Sequence, residues 1–200
     1  MNYFFRTPKT GSSYMNNTLQ RIMLENPHLE VKILDHSAHS SILKDIEFKE
    51  DDFIFTFTRN PYSRIVSAYL YLMTGGNPQS KDDLADSIRY VRPYKTFKEF
   101  VYSLSHESMK QIHIKPMFDW MCDNSGNVIP HFVGKVESLQ SDFNLICDML
   151  TIPHQHLNAH DSNYTNGKHY TEYYDDETRD IIAVKYAEDI EVFDYKFEEG

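Results

Sequence analysis

Pro8-Lys9-Thr10-Gly11-Ser12-Ser13 places one lysine, one glycine and three hydroxyl side chains in six consecutive positions, directly behind the apolar run Tyr3-Phe4-Phe5. Those residue types suit one task, the binding of an oxyanion. The glycine lets the backbone turn sharply, the lysine supplies charge, and the loop runs into Tyr14-Met15-Asn16-Asn17-Thr18-Leu19, which has helical character. A strand, such a loop and a helix N-terminus together gather backbone N–H groups around phosphate or a similar anion. A second cation stands in a comparable place. Asp52-Phe53-Ile54-Phe55-Thr56-Phe57-Thr58 is β-branched and aromatic and stops at Arg59-Asn60-Pro61, with Ser67 two helical turns further on. The planar fork of Arg59 and the hydroxyl of Ser67 suit one phosphate between them.

These residues need a scaffold, and the pattern supplies one. The sequence predicts a strand at about 2 to 6, the anion loop at 7 to 13, and a helix from about 12 to 25 ended by Asn26-Pro27. A short strand near Val31 to Leu34 leads to the His-rich turn Asp35-His36-Ser37-Ala38-His39-Ser40-Ser41. The strand at 52 to 58 gives way to a helix opened by Pro61 and closed by Gly75-Gly76. Residues 74 to 95 read as a mobile insertion with a weak helical pattern. Helices are expected near Phe97 to Leu104 and Ile114 to Met121, a buried strand at Phe132 to Val136, and an amphipathic helix at Ser138 to Leu150. Residues 151 to 170 read as a long loop, and Asp175-Asp176-Glu177 starts a final helix with negative charge at its N-terminus. Alternating strands and helices predict an α/β fold of P-loop-like, three-layer type. Its central, mainly parallel sheet is flanked by helices, with ligands at the carboxyl ends of the strands. The loops at Lys9 and Arg59 then share one edge.

Composition narrows the class. At 200 residues the chain suits a single domain spanning 1–200, and 40% hydrophobic with 14% aromatic residues excludes a disordered protein. The net charge of −10 sits mainly at one end: residues 171 to 200 hold 11 acidic and 3 basic side chains. No basic footprint for nucleic acid exists, so anion binding must be local. The apolar runs are too short to span a bilayer, and no secretion signal opens the chain, so a cytoplasmic protein is expected. Cys122 and Cys147 form neither a CxxC pair nor a zinc-spaced cluster, and no metal site is expected. Oligomeric state is not readable.

Taken together, Pro-Lys-Thr-Gly-Ser-Ser after a first strand and Arg59-Asn60-Pro61-Tyr62-Ser63-Arg64-Ile65-Val66-Ser67-Ala68-Tyr69 after a later one resemble the sulfotransferases that use 3′-phosphoadenosine 5′-phosphosulfate (PAPS). The nearest branch by these motifs is the carbohydrate sulfotransferase family that includes heparan sulfate 2-O-sulfotransferase, in a small bacterial form. Val133-Gly134-Lys135-Val136-Glu137-Ser138-Leu139-Gln140-Ser141-Asp142-Phe143 is similar to that family's late strand and helix, and Tyr170 to Thr178 with Tyr186 to Ile190 and Phe193 to Phe197 to the tail of its bacterial members. The likeness covers most of the chain and is weakest between about 75 and 125, which would be a helical, acceptor-side insertion. It implies that Lys9, Thr10, Gly11, Ser12 and Ser13 wrap the 5′-phosphosulfate, and that Arg59 and Ser67 hold the 3′-phosphate. Arg64 reads rather as a structural ion pair. Lys168, in the late loop Asn166-Gly167-Lys168-His169-Tyr170, would touch the 3′-phosphate or stand exposed in the loop.

Sulfuryl transfer needs an in-line acceptor, a stabilised leaving phosphate and a base. Lys9 is the expected catalytic cation. His39-Ser40-Ser41-Ile42-Leu43 resembles the segment that holds the catalytic histidine of heparan sulfate 2-O-sulfotransferase, so His39 is preferred as the base and His36 comes second. His106, His113, His131, His154, His156, His160 and His169 read as surface or packing residues, with His113 also a candidate to face the acceptor. PAPS and its product PAP are the expected partners, with a neutral or lightly charged glycan as acceptor. Two competing readings stand beside this one: a P-loop kinase or NTPase, although Gly-x-x-x-x-Gly-Lys-Ser/Thr is missing, and a noncatalytic nucleotide- or glycan-binding module.

Overall fold

Four runs rich in phenylalanine and β-branched residues become the strands of one parallel sheet: β1 (Asn2–Phe5), β2 (Val31–Leu34), β3 (Phe53–Thr58) and β4 (Phe132–Lys135), in the order β2-β1-β3-β4. They belong to a computed structural model that describes residues 1–35, 43–158 and 164–198. The register sets Phe5 of β1 beside Leu34 of β2 and Thr56 of β3, and Thr58 of β3 beside Lys135 of β4. The α/β architecture with a central, all-parallel sheet flanked by helices is the one the sequence predicts. The strand order carries more than the class. Next in sequence after β1 is β2 on one side, and next after β3 is β4 on the other, so the order reverses between β1 and β3. In open parallel sheets ligands bind beyond the carboxyl ends of the strands at such a reversal.

The described chain gathers into two compact units, Met1–Arg59 with Met117–Asp161, and Asn60–Pro116 with Ser162–Gly200. The first holds the sheet. Helix α1 (Ser12–Glu25) buries Met15, Leu19 and Ile22 against Phe4, Phe55 and Phe57, and α6 (Leu139–Met149) adds Phe143, Ile146 and Cys147 to the same core. The Phe4 and Phe55 rings stack with centroids 5.4 Å apart. Phe57 explains a glycine: a Cβ at Gly134 would lie 2.5 Å from Cε1 of that ring. Elsewhere in this unit Phe5 meets Trp120, in α5 (Phe118–Met121). Only this short helix forms where 114 to 121 was expected. Pro116 removes a backbone donor and bars its predecessor from helical geometry, so residues 111 to 115 close a turn instead, with the Lys115 N–H on the Gln111 carbonyl at 2.7 Å.

The second unit is mainly helical. It contains α2 (Pro61–Met73), α3 (Lys81–Asp86), α4 (Phe97–Ser103), α7 (Asp176–Lys185) and α8 (Ala187–Val192), around Ile65, Val66, Leu72, Phe100, Val101, Ile114 and Ile182. The expected last helix is thus two, parted at Tyr186, a buried residue outside helical geometry. Residues 74 to 95 hold more regular structure than their composition suggests, with α3 followed by a helical turn at Ser87–Val91. Asp83 is buried and accepts hydrogen bonds from the Tyr71 hydroxyl and from the Asn77 N–H at 2.9 Å. The stretch predicted as one long loop contains a two-residue hairpin, β5 (Tyr164–Thr165) and β6 (Lys168–His169). Asn166 and Gly167 both take positive φ, 55° and 76°, as a type I′ turn requires.

Candidate functional site

The loop that follows β1 is held from below by threonines. The Thr56 hydroxyl donates to the Phe5 carbonyl at 2.8 Å, which leaves it able to accept from Thr7, 2.9 Å away. The Thr10 hydroxyl donates to the Thr7 carbonyl at 2.8 Å. All three threonines are buried, so an otherwise apolar strand end carries a polar brace for the turn above it. Thr10 therefore uses its hydroxyl proton inside the loop, and its backbone N–H is the group it can offer a ligand.

Above the brace, Lys9 has φ 65° and Gly11 has φ 66°. Left-handed residues two apart belong to the backbone type that turns N–H groups into an anion-binding concavity. Gly11 is also the N-cap of α1, whose first-turn amides have no acceptor within the helix. A Cβ built on Gly11 meets nothing within 4 Å, so this glycine serves backbone conformation and leaves an open face over the loop. Ser12 is buried, and Ser13 is exposed.

Two arginines border the loop. Arg59, at the end of β3 and only 8% exposed, donates from Nη1 to the Lys9 carbonyl at 3.4 Å. Arg6, which the sequence reading passed over, donates from Nη2 to Ser13 Oγ at 3.1 Å and from Nη1 to Asp35 at 2.7 Å. Its signal was a cation at a strand end two residues before Pro8. Arg6, Lys9, Thr10, Gly11, Ser12, Ser13 and Arg59 are thus assembled at the point where the strand order reverses. The arrangement sets Arg6, Lys9, Arg59 and a set of helix-start amides along one loop, residue types that suit an anion.

Ser67 lies half-buried in α2, within the second unit. That helix starts at Asn60, whose Oδ1 accepts from the Tyr62 N–H at 3.1 Å and whose Nδ2 donates to the Lys196 carbonyl at 2.8 Å. Arg64 is fully buried and donates to the Lys115 carbonyl at 2.8 Å. Burial lowers its pKa against the opposing pull of Asp189 and Tyr186. Lys168 is exposed at the start of β6, on a hairpin whose Thr165 carbonyl accepts from the Tyr173 hydroxyl at 3.2 Å.

His36 and His39 lie outside the described residues, as does His160. His113 is buried with Nε2 3.2 Å from Asp83, His131 accepts the Ile54 N–H on Nδ1 at 3.0 Å, and His154 meets Asp148 at 2.8 Å. His169 Nδ1 lies 2.7 Å from the Thr171 hydroxyl. A hollow of about 400 Å³ in the second unit is lined by Glu172, Asp175, Asp176 and Glu198 beside Arg179 and Phe197, a set unsuited to an anion.

The class that these elements define is an α/β fold with a central, all-parallel sheet, a left-handed loop and a helix start lying where the strand order reverses. Residues 3–196 match the Sulfotransferase family, so the chain belongs to that family and its activity is sulfuryl transfer. No curated protein and no solved structure matches the chain. Among the described residues no helix is long and apolar enough to cross a membrane.

Proposed function

We propose that the protein transfers the sulfuryl group of PAPS to a hydroxyl of a carbohydrate acceptor. The observation that carries this reading is the anion loop at the sheet's reversal point, with Lys9 and Gly11 left-handed and Arg59 on the Lys9 carbonyl. PAPS is anionic at two separated ends. The loop amides with Lys9, Ser12 and Ser13 suit the 5′-phosphosulfate, and Arg59 with Ser67 suits the 3′-phosphate. Lys168 is a further candidate contact to that phosphate.

In the reaction the acceptor oxygen attacks sulfur in line, the bond from sulfur to the bridging oxygen breaks, and PAP leaves. Lys9 stabilises the negative charge that develops on the bridging oxygen. The acceptor's proton goes to a base, for which His39 is the candidate, with His36 next. The acidity of residues 171 to 200 favours a neutral or lightly charged glycan over a polyanionic one.

The test is transfer of labelled sulfate from PAPS, in the presence of EDTA, to pooled glycans, lipids and phenols. Label in the glycan fraction is the expected result. Transfer only to lipids or phenols would overturn the acceptor class. Donor binding without transfer to any pool would favour a noncatalytic module, and nucleotide turnover dependent on magnesium would favour a kinase.

A further inference from the structure

Beyond any contact with the 3′-phosphate, we propose that Arg59 is a positioning residue for the anion loop, holding the Lys9 peptide in the orientation that aims the loop's N–H groups. The inference rests on the reading of PAPS as donor. Its starting point is an unfavourable conformation. Lys9 is an L-residue at φ 65°, a state that costs roughly 1–2 kcal/mol and persists only where neighbouring structure imposes it. The Lys9 carbonyl accepts from Nη1 of Arg59 at 3.4 Å.

The trans peptide is planar, with its C=O and the next N–H pointing in opposite directions. A donor that fixes the Lys9 carbonyl therefore fixes the direction of the Thr10 N–H. On the other side of the turn, the Thr10 hydroxyl is bonded to the Thr7 carbonyl at 2.8 Å, so Lys9 lies between two constraints. Arg59 is well suited to its part. It is 8% exposed, it extends from the end of a central strand, and its planar fork offers several donors in fixed directions. One edge can hold the carbonyl while another meets phosphate. Occupation of the 3′-phosphate site then steadies the loop that grips the other end of the donor, and the two ends bind cooperatively.

Calorimetric titration with two probes separates the roles: PAPS, and adenosine 5′-phosphosulfate, which lacks the 3′-phosphate. Ser67→Ala is expected to weaken PAPS and leave adenosine 5′-phosphosulfate unchanged. Arg59→Met, which keeps a buried stem without donors, and Arg59→Lys, which keeps the charge without the fork, are both expected to weaken adenosine 5′-phosphosulfate as well. The loss is about fivefold, the scale of one hydrogen bond. Thermal melts verify that each variant is folded, and the two variants give the measurement independently. If Arg59→Lys binds adenosine 5′-phosphosulfate as the wild type does, charge alone is at work and the positioning role is wrong. The same holds if Arg59→Met leaves that affinity unchanged. A wild-type protein that binds neither probe would overturn the donor reading and this inference with it.

Discussion

Replacing Lys9 with glycine and with alanine separates what its charge does from what its backbone does. Alanine keeps the Cβ and with it the cost of a left-handed residue, roughly 1–2 kcal/mol. Glycine removes that cost but adds about 0.4–1 kcal/mol of unfolded-state entropy. With Lys9 at φ 65°, Lys9→Gly should therefore be more stable than Lys9→Ala by roughly 0.5–1 kcal/mol. For a chain of this size that is a melting temperature higher by about 1–4 °C. Neither variant has an ammonium for the bridging oxygen, and loss of one such electrostatic contact lowers turnover by about a hundredfold or more. The assays are thermal melts without ligand and labelled-sulfate transfer. A glycine variant no more stable than the alanine one would mean that the left-handed turn costs no more than the unfolded-state entropy glycine adds. Near wild-type turnover in either would remove Lys9 from the developing charge.

Gly134→Ala puts a Cβ 2.5 Å from Phe57 Cε1 and 3.2 Å from Asp142 Cβ, and should destabilise by about 1–3 kcal/mol in urea unfolding; a neutral result would mean that the Phe57 ring yields freely. Burial raises the Asp83 pKa, but the hydrogen bonds from the Asn77 N–H, Tyr71 and His113 outweigh it and hold the group below the usual aspartate value. A carboxyl lowered in the fold adds stability above its ordinary pKa of about 4, and that stability is lost as pH falls through the lowered value. The acid fall in melting temperature should be shallower in Asp83→Asn, and identical acid profiles would exclude this carboxyl as a cause. His39→Ala should lower turnover by about a hundredfold or more and leave PAPS affinity nearly intact, whereas parallel loss of both would remove it as the base.

The strands, α1 and the start of α2 were legible because their signals are local. Phe53 to Thr58 alternates too tightly for a helix, Gly11 marks a turn, and Pro61 can only open a helix, not continue one. The failures are positions where a tertiary contact or one punctuating residue overrides a pattern. Apolar spacing around Ile114 suggested a helix that Pro116 forbids. Asn166 and Gly167 looked like loop residues, and in the fold they turn a hairpin. At the site, residue types named the loop and Arg59, but not how they are joined. Arg6 was passed over despite its place at a strand end, because nothing in its neighbours predicts that its fork spans Ser13 and Asp35. Thr10 was placed correctly in the loop, yet its hydroxyl faces the Thr7 carbonyl, a partner that only the folded turn supplies.

The charge of the chain raises a question that the sheet answers. A protein of net −10 is a poor collector of anions by long-range attraction, and in salt such attraction fades over about 8 Å. Binding must then come from groups in contact with the anion. Backbone amides of a helix start supply partial positive charge that does not depend on net composition, and a guanidinium buried at a strand end is shielded from salt. On the proposed reading, the Thr7, Thr56 and Thr10 brace and the Arg59 bond to the Lys9 carbonyl direct those amides. Affinity for the donor should accordingly depend on the geometry of the first loop more than on ionic strength. Titration of PAPS over a tenfold range of salt tests that inference: a steep loss of affinity would show that diffuse charge, not the shaped loop, holds the donor.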